Sequence, residues 1–134
     1  MRKCICGIII NEEGKMLIQK HKKVDAYTLP GGKCDENECD RYTLVREMFE
    51  ELGILVYKYE VVFTDTIKHC EYPAGSGDYS DFYHTYFKIE KYEGEIINKE
   101  PEKHPELLWV KPEEIRKLGK ISRVLDRYLE NMNL

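Results

Sequence analysis

Glu47, Glu50 and Glu51 are spaced so that, on a helix turning about 100° per residue, their carboxylates share one face. Like charges at that spacing destabilise an isolated helix by ~0.2–0.5 kcal/mol per pair. They also lie toward the C-terminal end of the helix that the surrounding pattern predicts, where the macrodipole disfavours negative charge. Three acids in a poor electrostatic position point to a cation; a solvated acidic face is the ordinary alternative. Hard carboxylate oxygens fit Mg2+ or Mn2+ rather than zinc. Arg46 can reach Glu50 at i+4 and orient it. Upstream, Leu29-Pro30-Gly31-Gly32-Lys33 ends one element just before the helix. Its two glycines allow a sharp turn that aims a backbone carbonyl inward as a further ligand, and a purely structural turn is the alternative.

The elements that must hold these groups follow from periodicity. Residues 4–10 and 15–21 are apolar or alternating and flank Asn11-Glu12-Glu13-Gly14, which predicts two strands joined as a hairpin. From 38 to 52 the apolar residues Leu44, Val45, Met48 and Leu52 recur at spacings of three and four, a helix stopped by Gly53. Residues 54–66 are β-rich. Residues 68–80, with Pro73, Gly75 and Gly77, read as a long loop, 81–91 as an aromatic strand and 92–105 as mostly loop. A short strand at 107–110, a short helix from Pro112 and an amphipathic helix at 121–132 complete a mixed α/β pattern.

The spacing from Gly32 onward resembles the Nudix hydrolases, whose signature is G-x5-E-x7-R-E-U-x-E-E-x-G-U with U bulky and aliphatic. Gly32, Glu38, Arg46, Glu47, Met48, Glu50, Glu51, Gly53 and Ile54 fill every specified position. The resemblance implies one Nudix domain over 1–134, an α/β/α sandwich with a mixed sheet in which the box forms loop–helix–loop. It implies that Glu47, Glu50 and Glu51 bind the metal, Mg2+ or Mn2+, with the Gly31 carbonyl beside them. Arg46 would pair with a glutamate of that group, Glu38 would support the loop or approach the metal, and Gly32 and Gly53 would be structural. The general base varies in the family between a box glutamate and a residue of a later loop.

Glu100-Pro101-Glu102-Lys103-His104 is similar to a segment of many Nudix enzymes that act on nucleoside triphosphates. His104 and Trp109 also keep the spacing of GDP-mannose mannosyl hydrolases, where the histidine is the base. That subgroup departs from the box pattern, whereas this chain has it intact. Glu102 is an alternative base or metal ligand. For the substrate, Lys20, Lys22 and Lys33 are candidate phosphate contacts, with a solvated role as the ordinary alternative. Tyr27, Tyr83, His84, Tyr86 and Trp109 are candidates for stacking on a base, with a core or surface role as the ordinary alternative.

The reaction implied is metal-assisted attack of water on a phosphoanhydride of a nucleoside diphosphate linked to X. A (deoxy)nucleoside triphosphate giving monophosphate and pyrophosphate is favoured. The alternatives are a nucleotide sugar or ADP-ribose, and a non-catalytic nucleotide-binding module. A net charge of −4 argues against extended nucleic-acid binding. With 42% hydrophobic residues, ten Tyr and no apolar run near ~18 residues, the chain is expected to be globular and cytoplasmic. Its five cysteines are expected to be reduced, buried thiols. Monomer and homodimer stay open.

Overall fold

The structure, a computed structural model, describes residues 1–134. In chain order it contains β1 (Arg2–Ile8), β2 (Met16–His21), β3 (Ala26–Thr28), β4 (Gly31–Lys33), α1 (Asp40–Leu52), β5 (Leu55–Glu71), β6 (Tyr79–Glu93), β7 (Glu106–Val110), a 3-10 turn at Pro112–Lys117 and α2 (Arg123–Asn131). The strands form two sheets ordered β4-β1-β6-β5 and β3-β2-β7. The first sheet is mixed, because β1 runs parallel to β6 while β4 and β5 pair antiparallel with their neighbours.

The expected hairpin between the first two strands is corrected. The Asn11–Gly14 turn exists, held by the Asn11 side chain accepting from the N–H groups of Glu13 and Lys15, each at 3.0 Å. Beyond a single bridge at Ile10 and Met16, however, the strands separate into different sheets. Both have apolar side chains buried on both faces, so each serves as the inner strand of its own sheet. Alternation specifies which face a residue takes and not which strand lies alongside.

The long loop expected over 68–80 is also shorter than read. β5 continues to Glu71 and β6 begins at Tyr79. The breakers are confined to the tip, where the Glu71 carboxylate accepts from the N–H groups of Gly75 (2.7 Å) and Gly77 (2.9 Å).

The helices cover opposite faces of the strands. On one side, Leu44, Met48 and Leu52 of α1 pack with Ile5, Leu17, Phe87 and Ile89. On the other, Leu125, Tyr128 and Leu129 of α2 pack with Cys6, Ile8, Ile18 and Tyr86. Ser122 caps α2 by accepting from the Leu125 N–H at 3.1 Å. The Tyr86 hydroxyl donates to the Val124 carbonyl at 2.8 Å, tying α2 to the first sheet. The result is the α/β/α sandwich the sequence implied. Leu44 is fully buried in the cluster that seats α1. Leu44→Ala is expected to lower unfolding free energy by about 3 kcal/mol, measured as a drop in denaturation midpoint at unchanged m-value.

Three of the five cysteines are buried, Cys70 is partly buried, and Cys39 is exposed, so the expectation of uniformly buried thiols holds only in part. All five are free. No helix is long and apolar enough to cross a membrane.

Candidate active site

The helix that carries the acids is stopped by Gly53, whose φ of 72° is left-handed and whose N–H donates to the Phe49 carbonyl at 3.0 Å. That end of α1 leaves carbonyls without helical partners. The segment before β7 supplies them: Ile97 donates its N–H to the Leu52 carbonyl, and Lys99 to the Glu51 carbonyl, both at 3.0 Å. A stretch that reads as polar loop is thereby fastened to the end of the acidic helix.

Just beyond this splice the chain makes one helical turn. The Glu100 carbonyl accepts from the N–H groups of Lys103 (3.0 Å) and His104 (2.9 Å). The i, i+4 spacing sets the Glu100 and His104 side chains on one side of that turn. Each offers a ligand atom that, together with one from Glu51, forms a group with all three atoms within 4.8 Å of one another.

Glu51 defines the electrostatics. It is 4% exposed, and its carboxylate accepts from the Gly31 N–H at 3.1 Å. Burial pushes its carboxyl well above the usual range, the charge of Glu47 adds to this, and the Gly31 hydrogen bond opposes it. No lysine or arginine is paired with it; Arg46 is directed elsewhere. A buried carboxylate is stable when paired, protonated or holding a metal. Two carboxylates and an imidazole around one point supply donors that fit a divalent cation.

Glu47 is held between opposing effects. Burial raises its carboxyl to about 7 while Arg46 pulls it down. Glu50 is half exposed and stands at the rim. The three box glutamates are thus graded from buried to open rather than equivalent. Arg46 bridges them to the preceding loop. It donates through Nε to Glu38 Oε2 (2.7 Å), through Nη2 to Glu38 Oε1 (2.9 Å), and through Nη1 to Glu47 (3.0 Å) and Glu50 (3.1 Å). Glu38 also accepts from the Asp35 N–H and the Thr43 hydroxyl. Of the two roles open to it, the geometry gives Glu38 the support of the loop.

Gly31 and Gly32 form strand β4 rather than the sharp turn read from sequence, which is a correction. Neither has a positive φ. They are glycines because other atoms come close. A Cβ on Gly31 would overlap the Ile5 carbonyl oxygen, and one on Gly32 would lie 2.5 Å from the Glu47 carboxylate. At Gly31 it is the N–H, donated to Glu51, that meets the acidic group. Gly32→Ala is expected to displace the Glu47 carboxylate with little loss of stability. The check is calorimetry, where divalent-cation affinity should fall roughly tenfold or more while the melting temperature moves by only a few degrees.

The remaining candidates divide. His104, read as a base candidate, is 8% exposed and belongs to the cluster. Burial and nearby His21 hold its imidazole below the ordinary range. Glu102 is exposed and lies outside the group, which contains Glu100 instead. Lys33 pairs with Cys4 across the β1–β4 ladder, and Cys4 with His84 across β1–β6, so all three share the face toward α2. Tyr83 and Trp109 stand on the other face of their strands and are each about one-third exposed. Sequence reasoning missed Glu100 as a candidate ligand, although it stands four residues before His104. His84, one of the candidates for stacking, is buried with an unpartnered Nδ1, which nothing local in the sequence marks.

Known proteins resemble the chain in sequence and in fold. The NUDIX domain family matches residues 1–132. An 8-oxo-dGTP diphosphatase of Buchnera aphidicola subsp. Schizaphis graminum is 33% identical over 100 residues, which is 72% of this chain and 68% of the relative. A MutT NUDIX hydrolase from Burkholderia pseudomallei superposes with a TM-score of 0.78 at 23% identity, over 96% of this chain and 95% of that one. The E. coli ORF135 protein superposes with a TM-score of 0.77 at 25% identity, over 97% and 86%. The chain belongs to the NUDIX domain family. It is an enzyme, a Nudix pyrophosphohydrolase, and enzymes of this family generally use a divalent metal ion.

Proposed function

We propose that the protein hydrolyses a (deoxy)nucleoside triphosphate to the monophosphate and pyrophosphate, with Mg2+, or Mn2+, as its ion. The observation that carries this is Glu51, a buried carboxylate with no side-chain cation, gathered with Glu100 and His104 at the end of the box helix. The 8-oxo-dGTP diphosphatase relative supports a nucleoside triphosphate substrate.

In this reading Glu51 and Glu100 hold the ion, with Glu47, Glu50 and the Gly31 carbonyl available around it. A bound divalent ion neutralises charge on the triphosphate and acidifies the attacking water. The protein does the positioning. Arg46 fixes Glu47 and Glu50 against the loop, and a carboxylate of this group takes the water's proton. Lys33 meets phosphate. The nucleobase lies at the Cys4 and His84 end of the sheet face they share with Lys33, beyond Cys6 and Tyr86, which α2 covers; His84 Nδ1 is there a buried polar atom without a partner. Tyr83 and Trp109, on the opposite faces, are set aside as stacking residues. The reading places the reaction in the cytoplasm, in keeping with the free cysteines.

The test is an Mg2+-supported panel of standard and oxidised nucleoside triphosphates, nucleotide sugars, ADP-ribose and dinucleoside polyphosphates. The expected result is the highest kcat/KM on a triphosphate, with pyrophosphate and monophosphate as products. Preference for a nucleotide sugar, or release of inorganic phosphate from the triphosphate, would overturn it.

A further inference from the structure

The group at the end of α1 contains a donor that an all-oxygen magnesium site does not need. His104 is 8% exposed, and its Nδ1 is shielded with no hydrogen-bond partner. One of its ring nitrogens lies within 4.8 Å of carboxylate oxygens of both Glu51 and Glu100. Ligand atoms ~2.0–2.2 Å from a shared ion lie at most about 4.4 Å apart. The three donors are therefore nearly at the spacing of a common ion, before any adjustment of side chains.

The backbone that carries the ring is held from several directions. The His104 main-chain N–H donates to the Glu100 carbonyl, and the His104 carbonyl accepts from Asn98 Nδ2 at 2.7 Å. Asn98 Oδ1 accepts from the Glu100 N–H at 3.2 Å, so one side chain braces both ends of the turn. Lys22 donates its N–H to the Lys103 carbonyl at 3.0 Å, joining the turn to the end of β2. There the His21 ring meets His104 edge-on at 5.4 Å. His21 Nδ1 accepts from the Lys23 N–H at 3.2 Å, which fixes that ring in turn.

Mg2+ prefers oxygen ligands and retains its waters, whereas imidazole suits iron, nickel, copper and zinc; Mn2+ shares the preference of Mg2+ for oxygen but stands at the start of the transition series. Resting on the proposed metal site, we infer that His104 is a nitrogen ligand that shifts this site's preference from Mg2+ toward a first-row divalent transition ion. Mn2+ binds such sites most weakly in that series and is the demanding probe. The role is separate from that of a proton acceptor: it appears in the protein and ion alone, without nucleotide.

The experiment uses the full chain stripped of metal. Mn2+ and Mg2+ affinities are measured by calorimetry for the wild type, His104→Ala, His104→Gln and Glu51→Gln, with melting curves to confirm folding. Electron spin-echo spectroscopy of the Mn2+ complex then looks for 14N coupling, with His21→Ala as the control for the neighbouring ring. The expected result is 14N modulation in the wild type and in His21→Ala. Both His104 variants should bind Mn2+ roughly tenfold or more weakly, with Mg2+ affinity changed by less than about twofold. Mn2+ bound without 14N modulation, or equal loss of both ions in the His104 variants, overturns the inference and leaves the metal site standing. Unchanged Mn2+ and Mg2+ binding in Glu51→Gln overturns the metal-site reading as well. The spectroscopic arm needs only wild-type protein, so a variant that fails to fold does not remove the test.

Discussion

Glu51→Gln is expected to lower Mg2+-supported turnover by roughly a thousandfold or more while the fold survives. The ion's stabilisation of transition-state charge is worth several kcal/mol, and each 1.36 kcal/mol is about tenfold in rate. Removing the most buried of the proposed ligands is expected to remove most of that stabilisation. The fold has little reason to suffer. Glutamine keeps the volume and an oxygen for the Gly31 N–H, and it removes a charge that is 4% exposed and has no side-chain counter-ion. In chelated buffer the variant should melt at or above the wild-type temperature. Turnover within a few-fold of wild type, assayed at saturating Mg2+, would remove Glu51 from the mechanism. A large fall in melting temperature would instead show that the carboxylate holds the fold.

The second large effect concerns Arg46. Arg46→Met is expected to destabilise the protein by about 2 kcal/mol, a little below the usual range for breaking a buried ion pair because the guanidinium is partly open to solvent. It should also reduce turnover roughly a hundredfold. The loss of rate follows from position: Arg46 holds Glu38, Glu47 and Glu50 together, and misplacing a catalytic group by about 1 Å can cost that much. Arg46→Lys should rescue little, because an ammonium cannot reproduce the two-pronged contact with Glu38.

The same pair gives a pH dependence of definite sign. The Arg46 guanidinium holds the Glu38 carboxyl down at about 2, against an ordinary value of 4.5. A carboxyl depressed in the folded state stabilises it fully above the unfolded value and loses that contribution as pH falls toward the folded one. The stability gap between wild type and Arg46→Met should therefore be widest above pH ~5 and narrow between pH ~4.5 and ~2. Denaturation midpoints across that range measure it, and a gap that widens on acidification would contradict the assignment.

Much of the site was readable without coordinates. The Arg46–Glu50 relation depends on local chain geometry, as do the helix stop at Gly53 and the grouping of 47, 50 and 51 on one face; the Arg46–Glu38 pair, reaching a residue before the helix, appears only in the structure. Spacing along a helix fixes which side chains meet. The breakdown came where residues distant in sequence approach one another. Gly31 and Gly32 look like turn glycines locally, and only the packing of β4 against β1 and α1 shows that they make room for a carbonyl and a carboxylate. Glu102 and Glu100 look equivalent in sequence, and the turn that places Glu100 beside His104 depends on its splice to the end of α1.

The sequence by itself carried the chemistry: acids gathered on one helix face beside an arginine, a glycine that stops the helix, and a spacing that resembles the Nudix signature. Tertiary structure decided how those acids differ. It buried Glu51, left Glu50 at the rim, brought in Glu100 and His104 from a segment fifty residues away, and separated two adjacent strands into different sheets. The physical reason is that helical spacing is set by backbone geometry over a few residues. Burial, strand partnership and the approach of distant donors are set by which surfaces the whole chain brings together.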